Sequence, residues 1–408
     1  MSRAICLYLH VHQPFRLREF SIFDAGHPES NYWFPQYDAP TSNERIIHKV
    51  AQKSYRPTNA LLKELLAQHP QFSLSLSITG TLIEQLEMWA PDVLQDFKDL
   101  VATGRVEIVG ETYHHSLAFF YSQEEFARQV ELHRKKIEQT FGVTPTVLRN
   151  TELSYNNDIA YWADQAGYKG IITEGADSVL GWQSPNFMYQ PAYTKQIRLL
   201  LKNYKLSDDI AFRFSNQDWA EWPLTASKYV HWLNALPKNE QLINLFMDYE
   251  TFGEHQWEDH GIFDFMRHLP AEFLQTKGNR FMTLSQAVDH FEPVGTLDIP
   301  HTITWADTER DLTAWLGNAL QTESIQALYN LQDDILATKN QALINDWRRL
   351  QTSDHFYYMC TKWFNDGDVH AYFSPYQSPY DAFMFYSNAL KDLTLRLRLA
   401  QSGGKEPA

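Results

Sequence analysis

The feature that most constrains this chain is the alternation of short apolar runs with helical patterns over its first three hundred residues. The runs AICLYLH (4–10), FSLSLSI (72–78), RVEIV (105–109) and TVLRN (146–150) are β-branched or alternate apolar with polar positions, as strands do. Each gives way to a turn and a helical stretch. KGIIT (169–173), LINLFM (242–247) and a short RFMTL near 280 bring the expected strands to about seven, with an insert at 180–225 between the fifth and sixth. In SQEEFARQVELHRKKIEQTFG, Ser122 and Glu125 read as a capping box and Gly142 as a stop signal. Strands alternating with helices over this length predict an α/β fold whose parallel sheet is closed as a barrel or wound open.

After about residue 300 the strand signals vanish. Leu312, Trp315, Leu316, Ala319 and Leu320 fall on one helix face, and a second stripe, Phe383, Tyr386, Leu390, Leu393 and Leu397, repeats near the C-terminus. The expected organisation is a barrel-type part at 1–300, a C-terminal helical bundle at 301–400 and a frayed tail at 401–408.

Composition narrows the partners. The 35 basic and 50 acidic residues give a net charge of −15, which repels phosphate backbones and disfavours nucleic acid or an anionic membrane. A neutral or cationic ligand suits it better. The 58 aromatic residues (12 Trp, 21 Tyr, 25 Phe) supply flat faces for ligands as well as core filling. Only Cys6 and Cys360 occur, so there is no disulfide framework and no cysteine-based metal site. The N-terminal apolar run is too short for a secretory segment, and no stretch approaches the roughly 20 apolar residues of a membrane span. A cytoplasmic location is the expectation.

Parallel barrels carry their sites at the carboxyl ends of the strands. His10, His12 and Gln13 follow the first run, Glu107 lies in the third, Glu111, His114 and His115 lie just past it, Glu152 follows the fourth, and Asp248 and Glu250 follow the sixth. In HVHQP, His10 and His12 share one face of an extended chain. They suit a metal, a buried hydrogen-bonded pair or a clamp on sugar hydroxyls. The H-E-x-x-H motif, the P-loop and the dinucleotide glycine fingerprint are absent.

Two carboxylates stand where an apolar run turns into polar loop: Glu152 in RNTELSYNND and Asp248 in FMDYETFGEH. Glycoside cleavage requires such a pair, one to attack the sugar carbon and one to protonate the leaving oxygen. The competing structural roles are a helix cap for Asp248 and a salt bridge to Arg149 for Glu152.

These segments resemble glycoside hydrolase family 57, in its α-amylase-like branch, over nearly the whole chain. HVHQP (10–14), GRVEIVGETYHHSL (104–117), RNTELSYNN (149–157) and MDYETFGEH (247–255) are similar to the family's first four motifs. TWADTERDLTAWLGNALQ (304–321) with QTSDHFYYM (351–359) is similar to the fifth. The resemblance implies an incomplete seven-stranded (β/α) barrel followed by a C-terminal α-helical bundle domain that closes the cleft. It further implies retaining cleavage of α-linked glucans without a catalytic metal or other cofactor, with Glu152 as nucleophile and Asp248 as general acid/base. Ligand contacts are expected at His10, His12, Glu107, His114 and Glu250, and in the helical part at Trp305, Asp307 and Trp315. A 4-α-glucanotransferase or a branching enzyme would use the same pair. A catalytically silent glucan-binding protein is the rival of another class, and retention of both carboxylates argues against it.

Overall fold

The computed structural model describes residues 2–26, 31–362 and 372–402. Its first strand, β1 (Ala4–Val11), is entirely buried and organises the rest. β1 pairs in parallel with β2 (Leu74–Ile78) on one side and with β8 (Leu242–Asp248) on the other, and β2 pairs with β3 (Val106–Ile108). A second parallel group runs β4 (Val147–Arg149), β5 (Gly170–Glu174), β7 (Arg198–Lys202).

Two seams join the groups. The backbone of Gly110, just past β3, bonds Val147 and Arg149 of β4 at 2.9 and 2.8 Å. Beyond β7, Asn203 N–H donates to Asn244 of β8 at 2.9 Å, and the Asn244 amide returns a bond to Leu201. The circuit β1-β2-β3-β4-β5-β7-β8 is an incomplete seven-stranded barrel, and the seams are where its ladders break.

Alternation along the strands sorts the side chains into two cores. Ala4, Cys6, Tyr8, Val147, Ile172, Leu200 and Phe246 fill the barrel. Ile5, Leu7, Leu9, Leu74, Leu76, Val106 and Ile108 face the surrounding helices. Parallel strands covered on both faces read as near-continuous apolar runs, which is why these segments were legible.

Three expectations are corrected. The seventh barrel strand is β7, inside the stretch read as an insert, where it pairs antiparallel with β6 (Met188–Pro191). The RFMTL segment supplies only β9 (Arg280–Phe281), two residues paired with the start of β1. Ser122 does cap the helix Gln123–Phe141, and Gly142 ends it at φ 71°, but the reciprocal arm of the capping box is not made. The Glu125 carboxylate instead accepts two bonds from Arg348 of the C-terminal region, at 2.8 and 3.2 Å.

The helical part meets the barrel through Ser353 at Glu152, Asp354 at His12 and Arg348 at Glu125. The first stripe is split: Thr313–Leu316 and Ala319–Tyr329 are separate helices, broken at Gly317. The second is one long helix, Pro379–Gln401, burying Tyr386, Leu390, Leu393 and Leu397. Gln401 is still helical, and most of the tail expected to fray lies outside the described residues. Among the described residues no helix is long and apolar enough to cross a membrane.

Candidate active site

Glu152 sits where β4 ends. The chain turns there through two successive left-handed residues, Glu152 at φ 60° and Leu153 at φ 50°, a conformation costly for side chains larger than glycine. The turn delivers the carboxylate to the barrel mouth, where three donors meet it. His115 Nε2 lies 3.0 Å from Oε1, the Trp305 indole Nε1 donates to Oε2 at 2.8 Å, and the Ser353 hydroxyl donates to Oε1 at 3.3 Å. Burial works against ionisation of this carboxyl. The bond from His115 and the charges of His115 and Arg149 outweigh it, so Glu152 is held below the usual carboxylate range.

Asp248 closes β8 in the opposite environment. Burial, and next the negative charge of Glu152, push it up to about 6, against weaker pulls from Arg149, Lys202 and His115. It precedes the turn Tyr249–Thr251 without capping it. The second structural alternative fails as well, because the described ion pair of Arg149 is with Glu111 at 3.5 Å, while Glu152 pairs with His115. The two carboxyls at this end of the barrel are thus driven apart in ionisation, Glu152 held below the usual carboxylate range and Asp248 raised to about 6.

Around them the barrel end is polar. His10, His12 and His115 stack, with ring centres 4.9 Å apart for His10 and His115 and 4.1 Å for His12 and His115. Their nitrogens come within 4.8 Å of one another, the spacing of a metal site. Most of those nitrogens are engaged elsewhere: His12 bonds Thr79 and Asp354, and His115 bonds Glu152. Burial alone would lower His115, but its contacts with Glu111 and Glu152 carry it up to about 9. Glu250 is buried beside this cluster, accepting from Tyr55 at 2.5 Å and from Gln13 at 3.4 Å. Burial and the neighbouring Asp248 raise it to about 8.

The remaining expected residues divide. Trp305 is at the centre, its ring 5.2 Å from the Arg149 guanidinium and 5.5 Å from the Lys202 ammonium. Asp307, at φ 53°, pairs with Lys362 at 3.4 Å on the same segment. Glu107 points into the barrel, as its register requires, but its carboxylate is taken by Ser75 (2.8 Å) and the Ser285 amide (3.1 Å). It braces the barrel wall there. His114 is displaced: its ring packs on Tyr113, and His115 takes the place expected for it, because His115 adopts φ 51° and breaks the alternation of an extended chain. Trp315, 1% exposed, packs against Tyr357 in the helical core and offers no face to a ligand.

Sequence reasoning missed Ser353 and Asp354 as site residues. Both enter from the short helix Ser353–Tyr357, and Asp354 Oδ2 lies 3.1 Å from His12 Nε2. They stand in QTSDHFYYM, so the motif carried a signal that had not been assigned to residues.

The fold is an incomplete barrel with two carboxyls of opposed ionisation at its mouth, which Trp305 and Ser353 reach through Glu152 and Asp354 through His12. Sequence comparison gives the family: the profile of glycosyl hydrolase family 57 matches residues 6–300, and the chain belongs to that family. A Methanocaldococcus jannaschii protein provisionally named an alpha-amylase is 43% identical over 399 residues, 95% of this chain and 83% of its own. Among solved structures, a branching enzyme of this family from Thermococcus kodakaraensis superposes with a TM-score of 0.72 at 12% identity, over 99% of this chain and 92% of the other. A 4-alpha-glucanotransferase from Thermococcus litoralis gives 0.63 at 16% identity, over 87% of this chain and 56% of the other. At these identities the two structures attest the fold alone.

Proposed function

We propose that this protein is a retaining α-glucan hydrolase, α-amylase-like, acting on α-1,4-glucosidic bonds. The observation that carries the reading is the opposed environment of Glu152 and Asp248: one carboxyl kept ionised by donors and cations, the other raised to about 6 by burial and by its partner's charge. Glu152 attacks the anomeric carbon while Asp248 gives its proton to the departing oxygen. A β-linked glycosyl-enzyme forms, and Asp248, now a carboxylate, takes a proton from the water that releases the sugar. In this reading His10, whose Nε2 has no partner among the described residues, and Glu250 bond sugar hydroxyls, while His12 is engaged by Thr79 and Asp354, and no step is routed through a metal. The substrate is uncharged, in keeping with a chain at −15.

Incubation with maltooligosaccharides, followed by chromatography of the products, tests the reading. Shortened saccharides matching released reducing ends are expected. A ladder of longer and shorter chains without new reducing ends would instead identify a glucanotransferase, branched products a branching enzyme, and no products a binding protein.

A further inference from the structure

Beneath Glu152 lies a buried set of charges that this reaction scheme does not use. Glu111, just past β3, is fully buried, as is Arg149 of β4. Glu111 Oε2 stands 3.5 Å from His115 Nδ1 and 3.5 Å from an Arg149 terminal nitrogen, and Oε1 stands 3.7 Å from His10 Nδ1. On its far side His115 presents Nε2 to Glu152 at 3.0 Å. The order in space is Glu111, His115, Glu152, with Arg149 flanking the ring. Two carboxylates face one permanent cation, Arg149, so the set balances only if both His115 nitrogens carry protons. A buried cation or anion left without its counterpart is costly.

We propose that Glu111 and His115 are positioning residues for the nucleophile: Glu111 holds the second proton on His115, and the resulting imidazolium keeps Glu152 ionised and aimed. This rests on Glu152 being the nucleophile. Among the other groups facing His115, Arg149 of β4, 3.5 Å from Nδ1, opposes the charge. His10 and His12 approach from β1, and Asp248 from β8 and Asp354 from the helical domain add negative charge. The bonds to Glu111 and Glu152 outweigh Arg149. Burial and neighbouring cations lower both His10 and His12, which leaves His115 as the charged ring of the three. Glu111 itself is held below the usual carboxylate range: burial opposes this, but His115 and Arg149 outweigh it. Without Glu111, Arg149 and His115 would face each other as like charges, and the ring, the one able to release a proton, would become neutral.

The test has two arms on the full-length protein. In the first, histidine ring nitrogens are labelled with 15N and the His115 signals assigned by comparison with His115→Gln. At pH 7.5, where a free imidazole is mostly neutral, the wild-type ring is expected to show the imidazolium pattern. Glu111→Gln should convert it to the neutral pattern, and Glu111→Asp should restore the charge. In the second, kcat/KM is followed against pH with an activated α-maltosyl fluoride, whose leaving group needs no proton. The acidic midpoint, set by Glu152, should rise by about one pH unit or more in Glu111→Gln and in His115→Gln. A neutral His115 in the wild type overturns the proposal, and that arm needs no activity and only the His115→Gln variant for assignment. A Glu111→Gln enzyme that loses thermal stability or kcat while its ring charge and acidic midpoint stay put also overturns it, since a purely structural role predicts that result. A wild type that turns over no glucan would remove the functional reading while the ring measurement still decides the charge network.

Discussion

Trp305 donates its indole N–H to Oε2 of Glu152 at 2.8 Å, and its backbone N–H donates to the Glu152 carbonyl at 3.3 Å. One residue of the segment leading into the helical domain thus holds both the side chain and the backbone of Glu152, the first left-handed residue of the strained turn. Replacing Trp305 by Phe keeps the apolar body and removes the indole donor. A hydrogen bond to a charged group contributes about 1.5–3 kcal/mol, so kcat/KM should fall roughly 10- to 100-fold. Steady-state kinetics with circular dichroism as the folding control check this, and an unchanged kcat/KM would refute the role.

The two carboxylates should fail differently. Glu152→Ala abolishes retaining turnover, and added azide should then attack an α-glucosyl fluoride from the opened space, giving an inverted product. Asp248→Ala should hurt poor leaving groups most and accumulate the glycosyl-enzyme from an activated one, visible as an added mass on the intact protein. Azide rescue of the Asp248 variant with inversion, with the Glu152 variant inert, would exchange the assignments. A trapped complex should also place the two carboxyls about 5–5.5 Å apart, the separation for retention.

How much of this was legible turns on how local each signal is. Glu152 and Asp248 were readable because each sits at the end of a strand buried on both faces, and a parallel barrel puts strand ends together. The β7 run RLLLK was not, because five residues inside a stretch of turns and polar positions carry too little periodicity to stand out. His115 was passed over for His114 because its positive φ is a tertiary outcome, invisible in alternation. Ser353 and Asp354 reach the site across some two hundred residues or more of chain, through packing that no local pattern encodes. Trp315 shows the converse: a stripe position reads equally as platform or core, and packing chose core.

Activity should show a bell-shaped pH profile displaced to the acidic side. Glycosylation needs Glu152 ionised, so the rising limb belongs to a group titrating below 4.5. It also needs Asp248 protonated, so kcat/KM should fall as pH rises through about 6. With a fluoride leaving group in Asp248→Ala, the alkaline limb should disappear. Its survival near pH 8 would transfer the acidic role to Glu250, whose proton is lost near there.

Asp354 of the helical part and His12 of β1's outgoing turn meet at 3.1 Å, next to the Ser353 that touches Glu152, so the domain contact and the reactive centre share one helix. Thr79 engages the other His12 nitrogen at 2.9 Å, which leaves Nε2–H as the donor to the Asp354 carboxylate. Burial opposes ionisation of Asp354, but the bond from His12 and the charge of His115 help hold it well below its ordinary value of 3.8. A carboxyl lowered on folding stabilises the native state above its unfolded value and loses that contribution as pH falls through the folded one. A double-mutant cycle of His12→Ala and Asp354→Ala, read by urea unfolding at pH 7, should therefore give a coupling of about 1.5–3 kcal/mol. The coupling should hold at pH 5 and shrink only below about 3.8. Asp354→Ala should also lower kcat/KM at pH 5, because the helix carrying Ser353 is released. A coupling near zero at pH 7 would mean that apolar packing alone docks the helical domain.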